Sequence, residues 1–430
     1  MDKQKIKPKV TKYEASPEEV KKVVLLYSGG LDTSCMLKWL QDVYKAEVIT
    51  FTADLGQPRT DLWAVKKKAL KTGAVKACVA DLKEEFADKY VSWVIKANAL
   101  YGDKYPLSSS IARYLIAEKG IEIAKEEGAD GFAHGCTGKG NDQIRFDVTA
   151  FTLDPEIKII APVREWGMTR VEELKYAKKY GIEVKATSHK PYSVDENLWG
   201  RSSESGVLEY PDKEPPEDVF ELTTSPEKAP NKPTYLTIAF IKGLPVALNG
   251  EKMKLYELIM KLNEIAGKNG VGIIDHIENR VVGMKSREVY ECPAAMTIIA
   301  AHKDLQKMVC SNQEDFFRTV IEDKWAYMAF SGLWFDPLMK DLNAFLGSVN
   351  KYVTGWVKLK LYKGNVQVVG RGSPYSLYDH DLVSFDGEEL FNQNASAPFI
   401  EHWGLMSKTA YQVRFGKRVN LPDGRQVKSL

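Results

Sequence analysis

The architecture of this chain follows from one segment, Val23-Val24-Leu25-Leu26-Tyr27-Ser28-Gly29-Gly30-Leu31-Asp32-Thr33-Ser34. Its first five residues are apolar or aromatic β-formers, which is typical of a central parallel strand that is buried on both faces. The two glycines permit a sharp turn and the close approach of a ligand to the backbone. Apolar residues then recur at helical spacing as far as Val43, so a helix is predicted to begin near Asp32 or Thr33.

A strand, a glycine turn and a helix N-terminus together predict a site for an anion. Backbone N–H groups and the positive end of the helix dipole meet there, and Ser28, Thr33 and Ser34 add hydroxyl donors. The segment has no Lys-Ser or Lys-Thr after its glycines, so it is not a Walker A loop. A carboxylate among phosphate donors is repulsive unless a cation intervenes, so Asp32 indicates Mg²⁺. An ordinary strand-to-helix turn that binds no anion is the simpler alternative.

Composition narrows the class of protein. The chain has 430 residues, which is enough for two domains and an arm, and its net charge of +2 favours neither nucleic acid nor a membrane surface. Five scattered cysteines without a C-x-x-C pair indicate reduced thiols and a cytoplasmic protein. The lysine-rich first residues resemble neither a secretory signal nor a membrane anchor, and no apolar run approaches transmembrane length.

Strands and helices alternate from Val23 to about Lys190, which predicts a doubly wound α/β domain with a mainly parallel sheet. Ligands bind beyond the carboxyl ends of strands in such sheets. The Ser28 loop follows the first strand, and Ala53 follows the second, where a small residue lets an adenine ring pass. Within this domain we expect a helix from Phe86 to Leu100, and a second helix that is capped by one of the serines 108–110.

The later part of the chain has a different pattern. A proline-rich excursion is expected from Tyr210 to Pro233, followed by strands and helices in blocks, including a helix from Glu314 through Phe345. This order predicts an α+β domain. We therefore expect a flexible extension at residues 1–21, a nucleotide-binding domain at 22–190, an α+β domain at 191–385 and a C-terminal helical arm at 386–430.

One apolar stripe is predicted on a helix of the arm. It consists of Phe399, Ile400, Trp403, Met406 and Tyr411. The stripe fits packing on a neighbouring subunit or folding back on its own chain.

A second polar segment follows a short predicted strand at Gly131. It runs His134-Gly135-Cys136-Thr137-Gly138-Lys139-Gly140-Asn141-Asp142-Gln143-Ile144-Arg145-Phe146. Its glycines allow a ligand to approach the backbone closely, and Arg145 offers a planar fork for a carboxylate or phosphate. A plain polar loop would account for the glycine and asparagine content alone.

Together these motifs resemble the argininosuccinate synthase family of N-type ATP pyrophosphatases, which cleave ATP between the α and β phosphates. The resemblance rests on the Ser28 loop, on His134 to Phe146, on Ser193 to Ser202 and on Ile277 to Arg287, in the family's order. It implies ATP-dependent ligation of citrulline and aspartate through a citrullyl-adenylate, with release of AMP and pyrophosphate. It further implies a synthetase role for the α+β domain, and a homotetramer held by the C-terminal arm.

The resemblance also implies a set of site residues. ATP is expected at Tyr27, Ser28, Gly29, Gly30, Leu31, Asp32, Thr33, Ser34, Ala53 and Gly135. Citrulline is expected at Tyr105, Ser110, Asn141, Arg145, Ser193, Ser202, Glu278 and Tyr290. Aspartate is expected at Thr137, Asn141 and Asp142. Two residues are expected to be catalytic: Asp32 holds Mg²⁺, and Asp142 orients or deprotonates the amine of aspartate.

Structural alternatives exist for these residues, and the chain departs from the family in places. Ser110 could cap a helix, and Glu278 could form a surface ion pair with Arg280. The family commonly has glycine where this chain has Glu288, and threonine where it has Cys292.

Three other functions compete with the ligase. A tRNA thiolase would require paired reactive cysteines and a basic surface, and an amide-forming synthetase would require a glutaminase. A nucleotide sensor on an enzyme fold is the third. Citrulline-dependent release of pyrophosphate would separate the ligase from the sensor.

Overall fold

The computed structural model describes residues 13–58, 61–183, 192–384, 390–416, 419–420 and 425–427. The chain forms two compact units, Met1–Tyr375 and Ser376–Leu430. In the described part of the chain, every helix is too short or too polar to cross a membrane.

A five-stranded parallel sheet opens the first unit. Its strands are β1 (Lys22–Leu26), β2 (Glu47–Asp54), β3 (Lys76–Asp81), β4 (Gly131–Ala133) and β5 (Lys158–Ile160). They lie in the order β3-β2-β1-β4-β5, and each neighbouring pair is parallel. The chain moves outward from β1 to β3 and then returns to β4, so the point between β1 and β4 is where such sheets bind ligands.

Helices cover both faces of this sheet. They are α1 (Leu31–Trp39), α2 (Leu62–Thr72), α3 (Lys83–Phe86), α4 (Ser92–Lys96), α5 (Ser108–Glu127), α6 (Asp142–Leu153), α7 (Pro162–Trp166) and α8 (Arg170–Lys179). Leu25 of β1 belongs to the core that contains Leu37 of α1, whereas Leu26 belongs to a different core that contains Leu115 of α5. Because successive side chains of a strand point to opposite faces, the doubly wound prediction is confirmed.

The beginning of the described chain is packed rather than flexible. The carbonyl of Tyr13 accepts the N–H of Ile159 at 2.8 Å, and the N–H of Ala15 donates to the Ile159 carbonyl at 3.1 Å. Val20 is buried. The structure therefore differs from the expected flexible extension at residues 13–15, whose backbone groups pair with Ile159 of the edge strand β5. Residues 1–12 of the expected extension lie outside the described residues.

Two helix predictions in this domain need correction. The helix expected from Phe86 to Leu100 is α3 and α4 joined by a π-helical turn, and it ends at Lys96. Asn98 then adopts a left-handed φ of 44°, which a helix cannot continue. No serine caps α5, because its N-cap residue is Leu107 and the cap has no side-chain hydrogen bond. The hydroxyl of Tyr105 accepts the first backbone N–H groups of α5 instead.

Two antiparallel sheets follow the parallel sheet. Their strands are β6 (Ser193–Asn197), β7 (Gly200–Glu204), β8 (Thr234–Ile241), β9 (Leu244–Leu248), β10 (Glu251–Lys252), β11 (Ile273–Asn279), β12 (Lys285–Glu291), β13 (Gly355–Tyr362) and β14 (Asn365–Gly372). One sheet has the order β10-β9-β8-β13-β14 and the other β11-β12-β7-β6. The four-stranded sheet β11-β12-β7-β6 was not predicted, because its strands carry many polar residues.

The remaining helices complete the two units. They are α9 (Leu255–Lys268), α10 (Pro293–Val309), α11 (Asn312–Phe330), α12 (Pro337–Asn350), α13 (His380–Val383) and α14 (Ser396–Phe415), with the short strands β15 (Val419–Asn420) and β16 (Gln426–Val427). The single helix expected from Glu314 to Phe345 is two helices: α11 ends at Phe330, Gly332 then adopts a left-handed φ of 89°, and α12 begins with Pro337. The apolar stripe predicted for the arm lies on α14, and its side chains are exposed.

The proline-rich segment is tied to the four-stranded sheet. The buried carboxylate of Glu291 accepts the backbone N–H groups of Glu221, Leu222 and Thr223 at 2.8–3.1 Å. Arg201 donates to the same carboxylate at 2.9 Å. This excursion is therefore an anchored part of the fold, which the proline content alone does not reveal.

Candidate active site

One face of the sheet β11-β12-β7-β6 carries the polar residues of the site. Across the sheet, Tyr290 lies opposite Ser202, and Ser202 lies opposite Asp195. Glu278 lies opposite Ser286, two residues from Glu288. Because side chains alternate along a strand, this register gathers one set of residues on a common face: Ser193, Asp195, Ser202, Glu204, Glu278, Glu288 and Tyr290.

Two cavities meet where this face approaches the carboxyl ends of the parallel strands. We call one the strand-end cavity; it has a volume of ≈ 390 Å³ and is lined by residues such as Tyr27, Phe51 and Ala53. The other, the sheet-face cavity, has a volume of ≈ 450 Å³ and is lined by residues such as Arg145 and Glu278. They share part of their lining: Ser28, Thr33, Arg113, Gly135, Phe146, Val194 and Asp195.

The structure brings nearly all of the predicted site residues to these cavities. The strand-end cavity is lined by Tyr27, Ser28, Thr33, Ala53 and Gly135. The sheet-face cavity is lined by Gly30 and Asp32, and by every residue predicted for citrulline or aspartate: Tyr105, Ser110, Thr137, Asn141, Asp142, Arg145, Ser193, Ser202, Glu278 and Tyr290. The predicted residues that line neither cavity are Gly29, Leu31 and Ser34.

The glycine turn holds two hydroxyls at the junction of the cavities. Gly29 has a φ of +79°, which favours glycine. The Ser28 and Thr33 hydroxyls lie 3.2 Å apart and line both cavities. Ser34 differs, because its buried hydroxyl donates to the Gly30 carbonyl at 2.6 Å. The side chain of Ser34 therefore stabilises the turn.

A lysine from another element contacts the glycine turn, although the sequence of the turn itself contains no lysine. The ammonium of Lys68, on α2, donates to the carbonyl of Gly29 at 2.8 Å. No local sequence signal links Lys68 to the turn, because the two are joined only through the packing of α2.

Asp32 lies where its carboxylate and a bound phosphate could both coordinate one magnesium ion. It lies exposed in the first turn of α1 and lines the sheet-face cavity. In the part of the chain that the structure describes, no group of three or more histidine, cysteine or acidic side chains could hold a metal. A single carboxylate nevertheless fits Mg²⁺, which commonly takes one or two protein carboxylates and completes its shell with substrate phosphates and water.

The loop after β4 is fixed by a buried histidine. His134 lies 2.6 Å from the carboxylate of Asp147, and its other ring nitrogen accepts the N–H of Cys136 at 3.2 Å. Arg164 donates to the second oxygen of Asp147 at 2.9 Å. A Cβ at Gly135 would come within 2.7 Å of the terminal methyl of Met36 on α1, so the loop packs closely against that helix.

Asp142 sits between two arginines at the start of α6. Arg113 donates to one of its oxygens at 2.9 Å, and Arg145 donates to the other at 2.6 Å. Burial opposes ionisation of Asp142, but the charges of Arg113 and Arg145 outweigh burial and lower its pKa to about 2. Arg113 also pairs with Asp195. Asp142 is therefore a stable anion, and a weak base.

Arg145 retains an unused donor. Its guanidinium donates to the Phe330 carbonyl at 2.8 Å and lies 4.9 Å from the centre of the Phe330 ring. The buried Nη2 atom of Arg145 has no hydrogen-bond partner among the described residues. An unsatisfied buried donor costs roughly 1–3 kcal/mol, so a carboxylate that reached Nη2 would recover that free energy.

Aromatic rings pack at the start of α5, beside the residues predicted to bind citrulline. The rings of Tyr105 and Tyr290 stack at 4.1 Å. The hydroxyl of Tyr105 accepts from the backbone and the hydroxyl of Ser110, both at 3.2 Å. Burial raises the pKa of Tyr105 to about 12. Tyr105 therefore packs against one wall of the site and caps a helix at the same time.

Glu278 does not form the surface ion pair with Arg280 that the sequence left open. Its carboxylate is 2% exposed and accepts from the Tyr290 hydroxyl at 2.8 Å and from Asn141 at 3.3 Å. Arg280 pairs instead with Glu204 at 2.7 Å. Burial raises the pKa of Glu278.

Sequence reasoning missed five charged residues that line the sheet-face cavity: Arg113, Asp195, Glu204, Arg280 and Glu288. Strand alternation could have found three of them, because Asp195 is two residues from Ser193, Glu204 is two from Ser202 and Glu288 is two from Tyr290. Helical spacing could have found Arg113, which follows Ser110 by one turn. Cys292, a departure from the family pattern, is buried beside Ser108 and lines neither cavity.

Two family models match this chain along most of its length. The Arginosuccinate synthase N-terminal HUP domain matches residues 22–183, and the Arginosuccinate synthase C-terminal domain matches residues 192–410. Among solved structures, the chain is similar to the U34-tRNA thiolase NcsA from Methanococcus maripaludis at 19% identity, with a TM-score of 0.28 over 40% of this chain and 60% of that one. A likeness that weak supports no conclusion.

Curated relatives resemble the chain far more closely. An argininosuccinate synthase from Pyrococcus furiosus is 54% identical over 92% of this chain and 95% of its own length. Relatives of the same name from Brevibacillus brevis and Oceanobacillus iheyensis are 51% and 50% identical, over 92% and 94% of this chain and 94% and 95% of their own lengths. The family expected from the motifs is thus confirmed: the chain belongs to the argininosuccinate synthase family of ligases.

Proposed function

We propose that this protein joins citrulline to aspartate with the energy of ATP, and releases AMP and pyrophosphate. The observation that carries the proposal is the junction of the two cavities. The strand-end cavity ends in an anion-binding turn, the sheet-face cavity is lined by groups that recognise an amino acid, and Ser28 and Thr33 line both. A nucleotide in one cavity would therefore present its phosphates to an amino acid in the other.

In this arrangement ATP lies in the strand-end cavity. The adenine passes over Ala53, and Gly135 lets the nucleotide approach the backbone. The β and γ phosphates face the glycine turn, where Ser28 and Thr33 offer hydroxyls and the N-terminus of α1 offers its dipole. Asp32 would hold Mg²⁺, which supplies charge neutralisation at the phosphates when bound.

Citrulline fits the sheet-face cavity by charge. Its carboxylate suits the unpaired Nη2 of Arg145. Its α-ammonium suits the buried carboxylate of Glu278. Its neutral ureido group requires hydroxyl and amide partners, which Ser110, Ser193 and Ser202 on the same cavity wall can provide.

The first step is attack by the ureido oxygen of citrulline on the α-phosphate, which forms a citrullyl-adenylate and expels pyrophosphate. No covalent enzyme nucleophile is required. Negative charge grows on the departing pyrophosphate, and the donors of the glycine turn are already oriented toward it. Arg113 lines both cavities and so carries positive charge to their junction. Catalysis of this step is positioning and electrostatics.

The second step is attack by the amine of aspartate on the ureido carbon, with departure of AMP. Thr137, Asn141 and Asp142 form the wall at which aspartate would bind. A carboxylate whose pKa lies near 2 is a poor base for an amine. We therefore assign Asp142 the role of orienting the aspartate amine, and not that of removing its proton.

Assembly and location complete the proposal. We propose a homotetramer that uses α14, because this helix exposes Trp403 and Met406 at 77% and 81%. We propose a cytoplasmic enzyme, because all five cysteines are free thiols.

The decisive experiment asks which amino-acid pair triggers formation of AMP. The protein is incubated with ATP and Mg²⁺, and AMP and pyrophosphate are measured with citrulline, with aspartate, with both and with other pairs. We expect sustained AMP formation with citrulline and aspartate together. We also expect citrulline alone to drive exchange of labelled pyrophosphate into ATP. Binding of ATP without citrulline-dependent pyrophosphate release would instead favour a nucleotide sensor.

A further inference from the structure

Two carboxylates contact the hydroxyl of Tyr290 on the site face of the sheet, and a third lies on a neighbouring strand. Glu278 and Glu288 lie 2.8 and 3.0 Å from its hydroxyl oxygen, and Glu204 stands on the neighbouring strand β7. Glu288 lines the same cavity as Glu278. The site therefore contains an acid that the residues expected from the family do not include.

The contacts in this cluster leave room for one additional proton. The hydroxyl of Tyr290 has a single proton and can donate it to only one carboxylate at a time. Glu278 and Glu288 both lie within hydrogen-bond distance of that one oxygen. A proton on one of the two acids would turn the second contact into a hydrogen bond to the phenol oxygen. The geometry therefore fits one proton shared between the two acids.

The charges that face Glu288 agree with a shared proton. On its own strand the nearest titratable group is Tyr290, and across the sheet are Glu278 and His276 of β11 and Glu204 of β7. Burial lowers the pKa of His276, so it adds no stable positive charge.

The cations near this cluster make their shorter contacts with carboxylates other than Glu278 and Glu288. Arg280 is 3.5 Å from Glu288 but 2.7 Å from Glu204. Arg145, near Glu278, donates to Asp142. Burial, together with Glu278 and Glu204, raises the pKa of Glu288 to about 8.

We propose that Glu288 and Glu278 together bind the α-ammonium group of citrulline, and that the ammonium displaces the proton that the two acids share in the free enzyme. This inference rests on the proposed function, because it places citrulline in the sheet-face cavity. An ammonium has three N–H donors and can donate to both carboxylates at once. The displaced proton leaves to solvent, so citrulline binding releases up to one proton per site.

The pH dependence has a definite sign. Below the pKa of the free cluster, the enzyme must lose a proton to bind citrulline, so affinity rises with pH. The rise is at most about tenfold per pH unit, and it ends near the pKa of Glu288, at about 8. Above that pH both acids are already ionised, and the affinity for citrulline becomes independent of them.

Proton release can be counted by calorimetry. Citrulline is titrated into the intact enzyme at about pH 7 in two buffers with different heats of ionisation, and the difference in binding heat gives the number of protons released. We expect a substantial fraction of one proton per site. Glu288→Gln should release none, should bind citrulline roughly tenfold or more weakly at high pH, and should lose the rise of affinity with pH.

Asp275→Asn is the matched control, because Asp275 lies on β11, pairs with Arg287 and does not line the sheet-face cavity. This variant should keep the proton release and the pH profile. If the wild-type enzyme binds citrulline and forms AMP but releases no proton, the inference is overturned whatever the variants do. An unchanged Glu288→Gln profile would overturn it as well. An enzyme that neither binds citrulline nor forms AMP from citrulline and aspartate would instead refute the proposed function.

Discussion

Neighbouring charges give two acids in one cavity opposite properties. Asp142 lies between Arg113 and Arg145, which hold its pKa near 2 against the effect of burial. Glu288 is partly buried, and burial together with the charges of Glu278 and Glu204 raises its pKa. At neutral pH one is therefore a fixed anion that can orient a cationic or amine group, and the other can carry a proton. The residue type alone predicts neither state.

Asp142→Asn should separate the two chemical steps. Loss of the carboxylate removes the group that orients the aspartate amine, so AMP formation with both amino acids should fall on the order of a hundredfold. Citrulline-dependent exchange of pyrophosphate into ATP requires only the first step and should remain largely intact. Parallel measurement of both rates checks this. Loss of exchange along with AMP formation would show that the assignment to the second step is wrong.

Asp32→Asn should impair the use of magnesium and ATP. The amide keeps the size of the side chain but loses the charge that would attract the cation, so we expect turnover to fall at least about tenfold and to need more Mg²⁺. Initial rates across a magnesium titration measure the effect. Glu47→Gln is a suitable control, because Glu47 is exposed at the opposite end of β2. A magnesium dependence like that of the wild type would refute a metal role for Asp32.

At the scale of secondary-structure elements, the sheet β11-β12-β7-β6 has two faces with different tasks. One face presents the site residues, including Glu278, Ser202 and Tyr290. The other face buries Glu291 and Arg201, which hold the proline-rich segment through three backbone N–H groups and an ion pair. The segment thus stabilises the sheet from behind, and the sheet keeps its register where substrates would bind.

Glu291→Gln should destabilise the protein and release the proline-rich segment. Removing one partner of a buried ion pair leaves Arg201 uncompensated, which costs roughly 3–5 kcal/mol. The free energy of unfolding in denaturant should fall by about that amount, and limited proteolysis should cut between residues 210 and 233. Glu251→Gln removes an exposed partner of Lys261 and should change neither result. If the segment stays resistant to protease in Glu291→Gln, the carboxylate is not its anchor.

At the scale of the whole molecule, the described part of the second unit contains a long helix with an exposed apolar stripe. In α14, Phe399, Trp403 and Met406 lie on one stripe and are exposed. A soluble monomer rarely exposes so large an apolar surface. Association with other copies of the chain is the simplest way to cover it, and the proposed homotetramer would do so.

Introducing two charges into this stripe should break the assembly. Trp403→Glu together with Met406→Glu would place carboxylates in an apolar interface, so we expect dissociation of the tetramer. Light scattering after size-exclusion chromatography would measure the mass. Lys408→Glu introduces the same residue on the opposite side of α14 and should leave the mass unchanged. A double variant that stays tetrameric would exclude this stripe from the interface.

Much of the fold followed from local sequence. The apolar run of β1, the glycine turn and the helical spacing of α1 are short-range patterns, so the parallel α/β domain was predicted correctly. Two predictions failed for different reasons. Tyr105 caps α5 in place of a serine, through a hydroxyl that only its side-chain placement brings to the helix start. Residues 13–15 pair with Ile159 of β5, a contact between distant parts of the chain that no local pattern relates.

By itself the sequence determined the family and the polar residues expected around its substrates, because motifs such as the Ser28 loop keep their chemistry in a short span. Only the tertiary structure decided how those residues are charged and what stands beside them. Glu288 became part of the site through the register of β11 and β12, and Lys68 reached the glycine turn through the packing of α2. Strand register and helix packing depend on contacts between distant residues, and the pKa of a buried acid depends on all of its neighbours.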